Sequence, residues 1–189
     1  MTSVNIGVIA EEYDDVDVLY ELTCKLTLEN NFSFSKFISH GCGKLRNKCR
    51  AWSHILVRRG CSHLIVIHDL DTHNEGDLRD QLEQSVRGVG FTGHLILIPV
   101  YEIEAWLLSD PLALKQTFNM SKTPKVPVHP ETIRHPKEHL RDIVWKSCKK
   151  RYINTIHNKK IAGAIRIERL SVCPSFSLYP EFLNHSVNN

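Results

Sequence analysis

The stretch His63-Leu-Ile-Val-Ile-His-Asp-Leu-Asp71 decides the fold, because a short apolar strand runs there directly into two carboxylates. A continuous apolar run, rather than an alternating one, is typical of a parallel strand covered by helices on both faces. Val4–Ala10 and His94–Val100 have the same character, and acidic residues follow each of them too. Three strands of this kind indicate a parallel sheet whose carboxyl ends are acidic.

Helical patterns separate these strands along the chain. Leu45–Arg59 and Gly76–Val86 repeat apolar residues at helical spacing, whereas Phe32–Ile38 alternates as a further strand does. The stretch Tyr101–Leu108 also predicts a helix, and Asp110-Pro111 predicts the start of a further turn or helix. The alternation predicts an α/β fold with a mainly parallel sheet of about four strands flanked by helices on both faces.

Composition limits the class of protein. The chain has 189 residues, of which 42% are hydrophobic and 24% are charged, and this excludes a disordered chain, a collagen and a coiled coil. No apolar run approaches the roughly 20 residues that span a bilayer. The first residues lack the basic segment of a signal peptide. We therefore expect a cytoplasmic protein that does not bind a membrane.

Acidic residues meet at one edge of the predicted sheet. In an open parallel sheet the ligand site lies beyond the carboxyl ends of the strands. Carboxylates gathered there repel one another unless a cation offsets them, and hard oxygen ligands without Cys or His favour Mg²⁺ or Mn²⁺. The alternative, that the acids cap the following helices, is the better explanation for Asp14, Asp15 or Asp17 taken singly. The acids that follow the three strands are Glu11 and Glu12, Asp69 and Asp71, and Glu102 and Glu104.

The order of these motifs resembles the Toprim pattern of topoisomerases, primases and overcoming-lysogenization-defect nucleases, a glutamate after the first strand and a later Asp-x-Asp. Pro99-Val-Tyr-Glu-Ile-Glu-Ala-Trp-Leu-Leu108 and the ending around Ala162–Leu170 are similar to the stand-alone Toprim-like family, DUF4276 and the RloB-like group. The resemblance covers most of the chain. It implies a Toprim-like (Rossmannoid) catalytic domain over residues 1–120. Residues 121–189 are then a Pro-rich loop and a basic, mainly helical extension packed on that domain.

The resemblance also implies roles for the acids. Glu11 matches the Toprim glutamate, which acts as general acid/base or metal ligand. Asp69 and Asp71 match the catalytic Asp-x-Asp, which holds the metal. Glu102 and Glu104 match the family's glutamate pair, and either of them completes the metal shell.

The first acidic segment departs from the family pattern. The family usually has Glu-Gly-x-Thr-Glu after its first strand, whereas this chain has Glu11-Glu-Tyr-Asp-Asp15. Asp15 therefore replaces the second glutamate as a metal ligand, with a shorter reach. Without the glycine, either Glu11 or Glu12 faces the metal.

The function that the resemblance implies is a Mg²⁺-dependent nuclease that hydrolyses phosphodiester bonds in DNA or RNA, with Mn²⁺ as the alternative cation. Members of this group are commonly encoded beside ABC-type ATPases. The implied role is an anti-phage defence effector with nucleic acid as substrate and an ABC-type ATPase as partner. A homodimer is a further expectation.

The net charge of +3 is an average over two opposite segments. Residues 11–21 hold six acids and no base, whereas Lys146–Arg169 holds eight basic residues and one acid. The basic segment suits contact with a phosphate backbone, and it suits docking of an acidic partner equally well. Thr72-His73-Asn74, after the Asp-x-Asp, either touches substrate or forms only a turn. The nucleic-acid-binding candidates are Lys146, Lys149, Lys150, Arg151, Lys159 and Lys160.

Two rival functions fit parts of the sequence. Asp69-Leu-Asp-Thr72 also matches the Asp-x-Asp-x-Thr signature of haloacid-dehalogenase-like phosphatases, although that motif normally follows the first strand and here follows the third. The second rival is a non-catalytic Toprim-like module that only binds a partner, which the missing glycine after Glu11 favours.

Overall fold

The computed structural model describes residues 3–27 and 31–187. Its strands are β1 (Val4–Ala10), β2 (Phe32–Ile38), β3 (His63–Ile67) and β4 (Gly93–Leu97). They form one sheet in the order β2-β1-β3-β4, and every pairing in it is parallel. The predicted α/β fold with a four-stranded parallel sheet is thus confirmed, and the carboxyl ends of all four strands lie at one edge.

Helices connect the strands and make up the C-terminal part of the chain. In the described residues they are α1 (Tyr13–Leu26), α2 (Cys42–Arg58), α3 (Glu75–Val86), α4 (Glu104–Leu107), α5 (Pro111–Phe118), α6 (Pro136–Cys148), α7 (Asn154–Ala164) and α8 (Leu178–Ser186). Short 3₁₀ turns cover Pro130–Thr132, Ile167–Val172 and Pro174–Phe176. Within residues 3–27 and 31–187, no helix has both the length and the apolar character that crossing a bilayer requires.

Two predicted helix starts are wrong. α2 begins at Cys42 rather than Leu45, directly after Gly41, whose φ of 136° ends the preceding turn. α4 begins at Glu104 rather than Tyr101, because Tyr101 has a φ of 63° in the left-handed region, which a right-handed helix does not contain.

The helices α2 and α3 cover one face of the sheet, here called the α2/α3 face. Strand residues such as Ile9 and Val66 pack there against Leu56 and Leu82 of the two helices. The core of this face is apolar. At Gly7 the strand β1 approaches α2 so closely that an added Cβ would lie 2.9 Å from Leu56 Cδ1.

The helices α1, α7 and α8 cover the opposite face together with α4 to α6, and we call it the α1/α7 face. Its core mixes apolar packing with buried hydrogen bonds. Trp106 is fully buried and donates from Nε1 to Ser175 Oγ at 2.8 Å. The Tyr179 hydroxyl lies 2.6 Å from Thr23 Oγ1. Residues of the C-terminal part therefore share one core with the strands.

Candidate functional site

Backbone hydrogen bonds hold the loops that follow the strands. β3 and β4 end earlier than the sequence predicts, but His68 N still donates to the Leu97 carbonyl, and Leu70 N donates to that of Pro99, both at 3.1 Å. Beside β1, His40 N donates to the Glu11 carbonyl at 2.9 Å. The sheet thus extends past the strand ends and fixes the backbone that carries the acids.

Four carboxylates that follow β1, β3 and β4 along the chain form the inner cluster, which we define as Glu11, Asp15, Asp69 and Glu104. The pKa of Asp69 is raised well above its usual value, first by burial and then by the charges of the other three members. The pKa of Asp15 is raised in the same way by burial and by the charges of Asp14, Glu104 and Glu11. The structure therefore brings together four of the six predicted metal ligands.

Glu11, not Glu12, faces the cluster. The Glu11 side chain is 15% exposed, whereas that of Glu12 is 52% exposed. Burial and the charge of Asp71 raise the pKa of Glu11 to about 7. Its Oε1 lies 3.2 Å from His68 Nδ1, which is closer to the Asp69 carbonyl oxygen at 2.7 Å. Glu11 is thus a carboxyl group that exchanges its proton near neutral pH.

The first turn of α1 uses its two aspartates differently. Asp15 Oδ2 accepts a hydrogen bond from Glu12 N at 2.9 Å, so Asp15 both caps the helix and belongs to the inner cluster. The prediction that Asp14 is only a helix cap is wrong. Asp14 is buried, and its Oδ2 accepts from Asn154 Nδ2 at 3.1 Å and from Asn158 Nδ2 at 2.8 Å.

A polar network from the C-terminal helices surrounds Glu104. Its Oε1 accepts hydrogen bonds from the Tyr152 hydroxyl and from Asn158 Nδ2, both at 3.1 Å. The Tyr152 hydroxyl also bonds Asn158 Oδ1, and the Lys137 ammonium lies 3.7 Å from Glu104 Oε1. Burial raises the pKa of Glu104, and the charge of Lys137 partly offsets that rise.

These network residues are the ones that sequence reasoning missed. Asn158 donates both to Asp14 and to Glu104, so it links α1 to α4 through α7. The four-residue spacing of Asn154 and Asn158 places both amides on one side of α7, and this spacing is the sequence signal that could have indicated a shared partner. For Lys137 and Tyr152 the sequence holds no such local signal.

The other two predicted ligands, Asp71 and Glu102, lie outside the inner cluster and line a cavity of about 550 Å³. Asp71 is exposed and has a left-handed backbone with a φ of 48°. Glu102 Oε2 accepts from Lys137 N at 2.9 Å, in the first turn of α6. The charge of Asp71 contributes to the raised pKa of Glu11, and that of Glu102 contributes to the raised pKa of Glu104, so both acids lie near the inner cluster.

Basic and polar groups line other walls of this cavity. Thr72 and His73 follow the Asp-x-Asp, while Arg134 and His135 precede α6. The His73 ring is held by Arg46, whose Nη1 lies 2.8 Å from its Nε2. The cavity is thus lined both by the carboxylates Asp71 and Glu102 and by the guanidinium of Arg134.

The predicted nucleic-acid-binding residues differ in whether their charged groups already contact another group of the protein. Lys150 Nζ donates to the Phe118 carbonyl at 2.6 Å, and Lys159 Nζ lies 3.8 Å from Glu21 Oε1. Lys146 pairs with Asp142 at 3.4 Å on the surface of α6. All six side chains belong to exposed residues. The other three are Lys149, which lies over the Trp145 ring, Arg151 and Lys160.

The donors of the inner cluster fit a divalent cation by their chemistry. In the part of the chain that the structure describes, no three His, Cys, Asp or Glu side chains are grouped closely enough to hold a metal ion as they stand. However, Glu11 Oε1 of the inner cluster is buried and accepts no hydrogen bond from any described residue. The same holds for Oδ1 of Asp14, which lies outside the cluster but whose charge acts on Asp15. Buried, mutually repelling oxygens without donors are what a hard cation satisfies.

Residues 21–183 match the family model described as a domain of unknown function, DUF4276. Because the match covers most of the chain, the chain belongs to the DUF4276 family. The matched residues include Asp69, Asp71, Glu102 and Glu104, but the match begins after the first acidic cluster. No curated protein and no solved structure matches the chain significantly.

Proposed function

We propose, from the membership of the chain in the DUF4276 family and from its carboxylates, that the protein is a Mg²⁺- or Mn²⁺-dependent nuclease that hydrolyses phosphodiester bonds in DNA or RNA. One observation carries the proposal. Carboxylates that follow β1, β3 and β4 lie close enough together at the edge of the sheet that burial, and after it their mutual repulsion, raises the pKa of Asp69 and Asp15. A protein retains such repulsion at a functional site more readily than in a purely structural core.

In this proposal Asp69, Asp15 and Glu104 hold the cation, with Asp71 and Glu102 at the substrate side. When bound, the cation polarises the phosphoryl oxygen and lowers the pKa of water. Phosphodiester hydrolysis needs such help because negative charge develops on the phosphoryl oxygens in its transition state.

The chain's own residues handle the proton and the geometry. The Glu11 carboxyl, buried beside the cluster, takes a proton from the attacking water or returns one to the leaving oxygen. His68 lies 3.2 Å from Glu11 Oε1 and is fully buried, so it restricts where that carboxyl moves. Tyr152 and Asn158 keep Glu104 in place through two hydrogen bonds at 3.1 Å.

The resemblance to Toprim nucleases supports the same chemistry, because Glu11 follows β1 in the sequence and Asp69 and Asp71 follow β3, as the Toprim pattern requires. The role as a cytoplasmic anti-phage effector with an ABC-type ATPase partner, and a homodimeric state, remain parts of this proposal. They rest on the resemblance alone.

A non-catalytic partner-binding module is the second candidate function. The observation that favours it is that Glu104 already accepts two hydrogen bonds and lies 3.7 Å from the Lys137 ammonium. A carboxylate satisfied in this way has less need of a cation.

Cleavage assays test the proposal. The purified chain is incubated with Mg²⁺ or Mn²⁺ and plasmid, single-stranded DNA or transfer RNA, with and without an ABC-type ATPase of the kind that the resemblance implies as partner. We expect cleavage that EDTA abolishes and that Asp69→Asn reduces at least about 100-fold. The matched control is Asp80→Asn, an exposed acid of α3 outside the site.

The outcomes separate the candidates. Absence of cleavage in every arm, or cleavage unchanged in Asp69→Asn, would defeat the nuclease proposal. Hydrolysis of p-nitrophenyl phosphate without cleavage of nucleic acid would favour the phosphatase instead. Failure to bind Mg²⁺ or Mn²⁺ at all would favour the non-catalytic module.

A further inference from the structure

We propose that the 550 Å³ cavity binds the nucleotide next to the scissile phosphate, with Arg134 on its phosphate and Tyr101 against its base. The position of this nucleotide beside the scissile phosphate rests on the proposed function. Asp71 and Glu102 line the cavity, and both lie near enough to the inner cluster for their charges to act on Glu11 and Glu104. The binding of a nucleotide by Arg134 and Tyr101 can be tested without any cleavage.

Arg134 is the cationic group that the protein leaves without a partner in this cavity. Its side chain is exposed, and it makes no hydrogen bond or ion pair with any residue that the structure describes. Arg134 forms no ion pair with Asp71 or Glu102, although both carboxylates line the same cavity. A guanidinium presents a planar set of donors that matches two phosphate oxygens at once. Arg134 is therefore placed to take an anion from outside.

Tyr101 is held in an unusual backbone conformation at the cavity wall. Its φ of 63° lies in the left-handed region, which bulky side chains rarely adopt. Strain of this kind persists where the surrounding structure imposes it, and it concentrates at functional sites. Among the described residues, no other aromatic ring contacts Tyr101. The ring is thus available for a base, since stacking on an aromatic ring suits every base.

The size and the walls of the cavity fit one nucleotide better than a duplex. Its volume of about 550 Å³ lies within the range of small-molecule sites, roughly 300 to 1,000 Å³. Thr72 and His73 form a further wall, and Arg46 restrains the His73 ring at 2.8 Å. A single strand would therefore enter the cavity, with one phosphate toward Arg134 and the next toward the inner cluster.

Fluorescence anisotropy tests this site. The probes are mixed-sequence single-stranded DNA and RNA decamers with a 5′-fluorescein, titrated with the full chain in EDTA so that no cleavage intervenes. We expect Arg134→Ala to weaken binding about tenfold and to lower the slope of log affinity against log salt by about 0.7. Arg134→Lys keeps the charge, so its slope should stay that of the wild type.

Tyr101 has its own pair of variants. Tyr101→Asn should weaken binding at least about fivefold with an unchanged salt slope, because it removes a stacking surface but no charge. Asn tolerates the left-handed backbone, so the variant should unfold at a temperature no lower than that of the wild type. Tyr101→Phe retains the ring and should bind as the wild type does. Arg141→Ala, at an exposed arginine of α6 outside the cavity, is the matched control and should change neither affinity nor slope.

The site is overturned if the wild type binds neither decamer, or if Arg134→Ala and Tyr101→Asn bind with wild-type affinity. Failure of the site and failure of the nuclease proposal are distinguishable. If binding depends on Arg134 but the protein cleaves no substrate, the nucleotide site is supported and the nuclease proposal is refuted. If the wild type cleaves, and both Arg134→Ala and Tyr101→Asn cleave and bind as it does, the nucleotide site is refuted while the nuclease proposal stands.

Discussion

The two faces of the sheet are built on different principles. On the α2/α3 face, apolar side chains from residues 9–98 pack together, and β1 lies against α2 without a side chain at Gly7. On the α1/α7 face, Asp14 and Glu104 are buried, and both accept hydrogen bonds from the buried Asn158. The core of the first face is apolar, and Arg79 Nη1 adds a hydrogen bond to the Ile96 carbonyl at 2.9 Å. The core of the second face also buries carboxylates and an amide. In the proposed function the α1/α7 face therefore supports the site, while the α2/α3 face contributes stability.

The largest effect is expected from a core truncation on the α2/α3 face. Leu56 is fully buried, so Leu56→Ala should lower the free energy of unfolding by about 2–5 kcal/mol, measured by urea denaturation. The Mn²⁺ affinity of the folded fraction should not change, because this face does not support the carboxylates. A changed Mn²⁺ affinity in calorimetry would show that the two faces are coupled.

The close approach at Gly7 supplies the matched second variant. Gly7→Ala alone should destabilise the protein, because its Cβ would lie 2.9 Å from Leu56 Cδ1. In the Leu56→Ala background the added methyl group enters the space that was vacated. The double variant should therefore lose less free energy of unfolding than the sum of the single variants. Simple additivity would contradict the contact.

A smaller loss of stability, but a change at the site, is expected on the α1/α7 face. Asn158→Ala removes the donor shared by Asp14 and Glu104, and should lower the free energy of unfolding by about 1–3 kcal/mol. The Mn²⁺ affinity should fall as well, because both carboxylates lose their positions. Thr155→Ala, at an exposed position of the same helix, is the control. If Asn158→Ala bound Mn²⁺ as tightly as the wild type does, the claim that the α1/α7 face positions the carboxylates would be contradicted.

The pH dependence of stability should sharpen the same contrast. The pKa of Glu11 is raised from 4.5 to about 7, and those of Asp69 and Asp15 are raised too, all first by burial. A raised carboxyl pKa stabilises the folded protein below the unfolded pKa, and this contribution is lost as pH rises through the folded one. In EDTA, the free energy of unfolding should therefore decline from about pH 4.5 to 7.

The corresponding measurement is urea denaturation at several pH values, with EDTA or with Mn²⁺. Mn²⁺ should reverse the decline, because it offsets the charges that repel one another. Glu11→Gln removes one of these titrating groups and should flatten the EDTA curve. A stability that rises with pH in EDTA would argue against the inner cluster.

The smallest effects are expected in the basic C-terminal segment. Lys160→Ala should weaken decamer binding a few-fold and lower the salt slope by about 0.7, if its exposed charge meets a phosphate. Lys159→Ala should do less, because its ammonium already lies 3.8 Å from Glu21 Oε1. Anisotropy titrations at several salt concentrations measure both. Equal effects of the two variants would contradict this distinction.

The sequence predicted the strands and the acidic edge because both depend on local signals. A buried parallel strand is an apolar run, and the run in β3 leads to Asp69 and Asp71 without any long-range information. The same reasoning placed Glu104 at that edge. It could not separate Glu104, which is buried, from Glu102, which borders the cavity, because burial depends on what packs against α4.

The polar network could not be predicted for the same physical reason. Asn158 meets Glu104 across 54 positions of sequence and Asp14 across 144, and no periodicity reports contacts of that range. The predicted helix from Tyr101 was wrong because propensity does not reveal a left-handed residue that tertiary contacts impose. Local patterns thus predicted which acids lie at the sheet edge, whereas the contacts that position Asp14 and Glu104 come from the C-terminal part of the chain.

Calorimetric titration of Mn²⁺ into the wild-type chain and into Asp69→Asn tests the central claim most directly. Asp69 has three other carboxylates of the inner cluster around it, so a cation held there must lose much of its binding energy when Asp69 becomes neutral. We predict saturable binding to the wild type and to Asp80→Asn, and binding at least about tenfold weaker in Asp69→Asn. Equal binding by wild type and Asp69→Asn, or no binding by the wild type, would contradict the account.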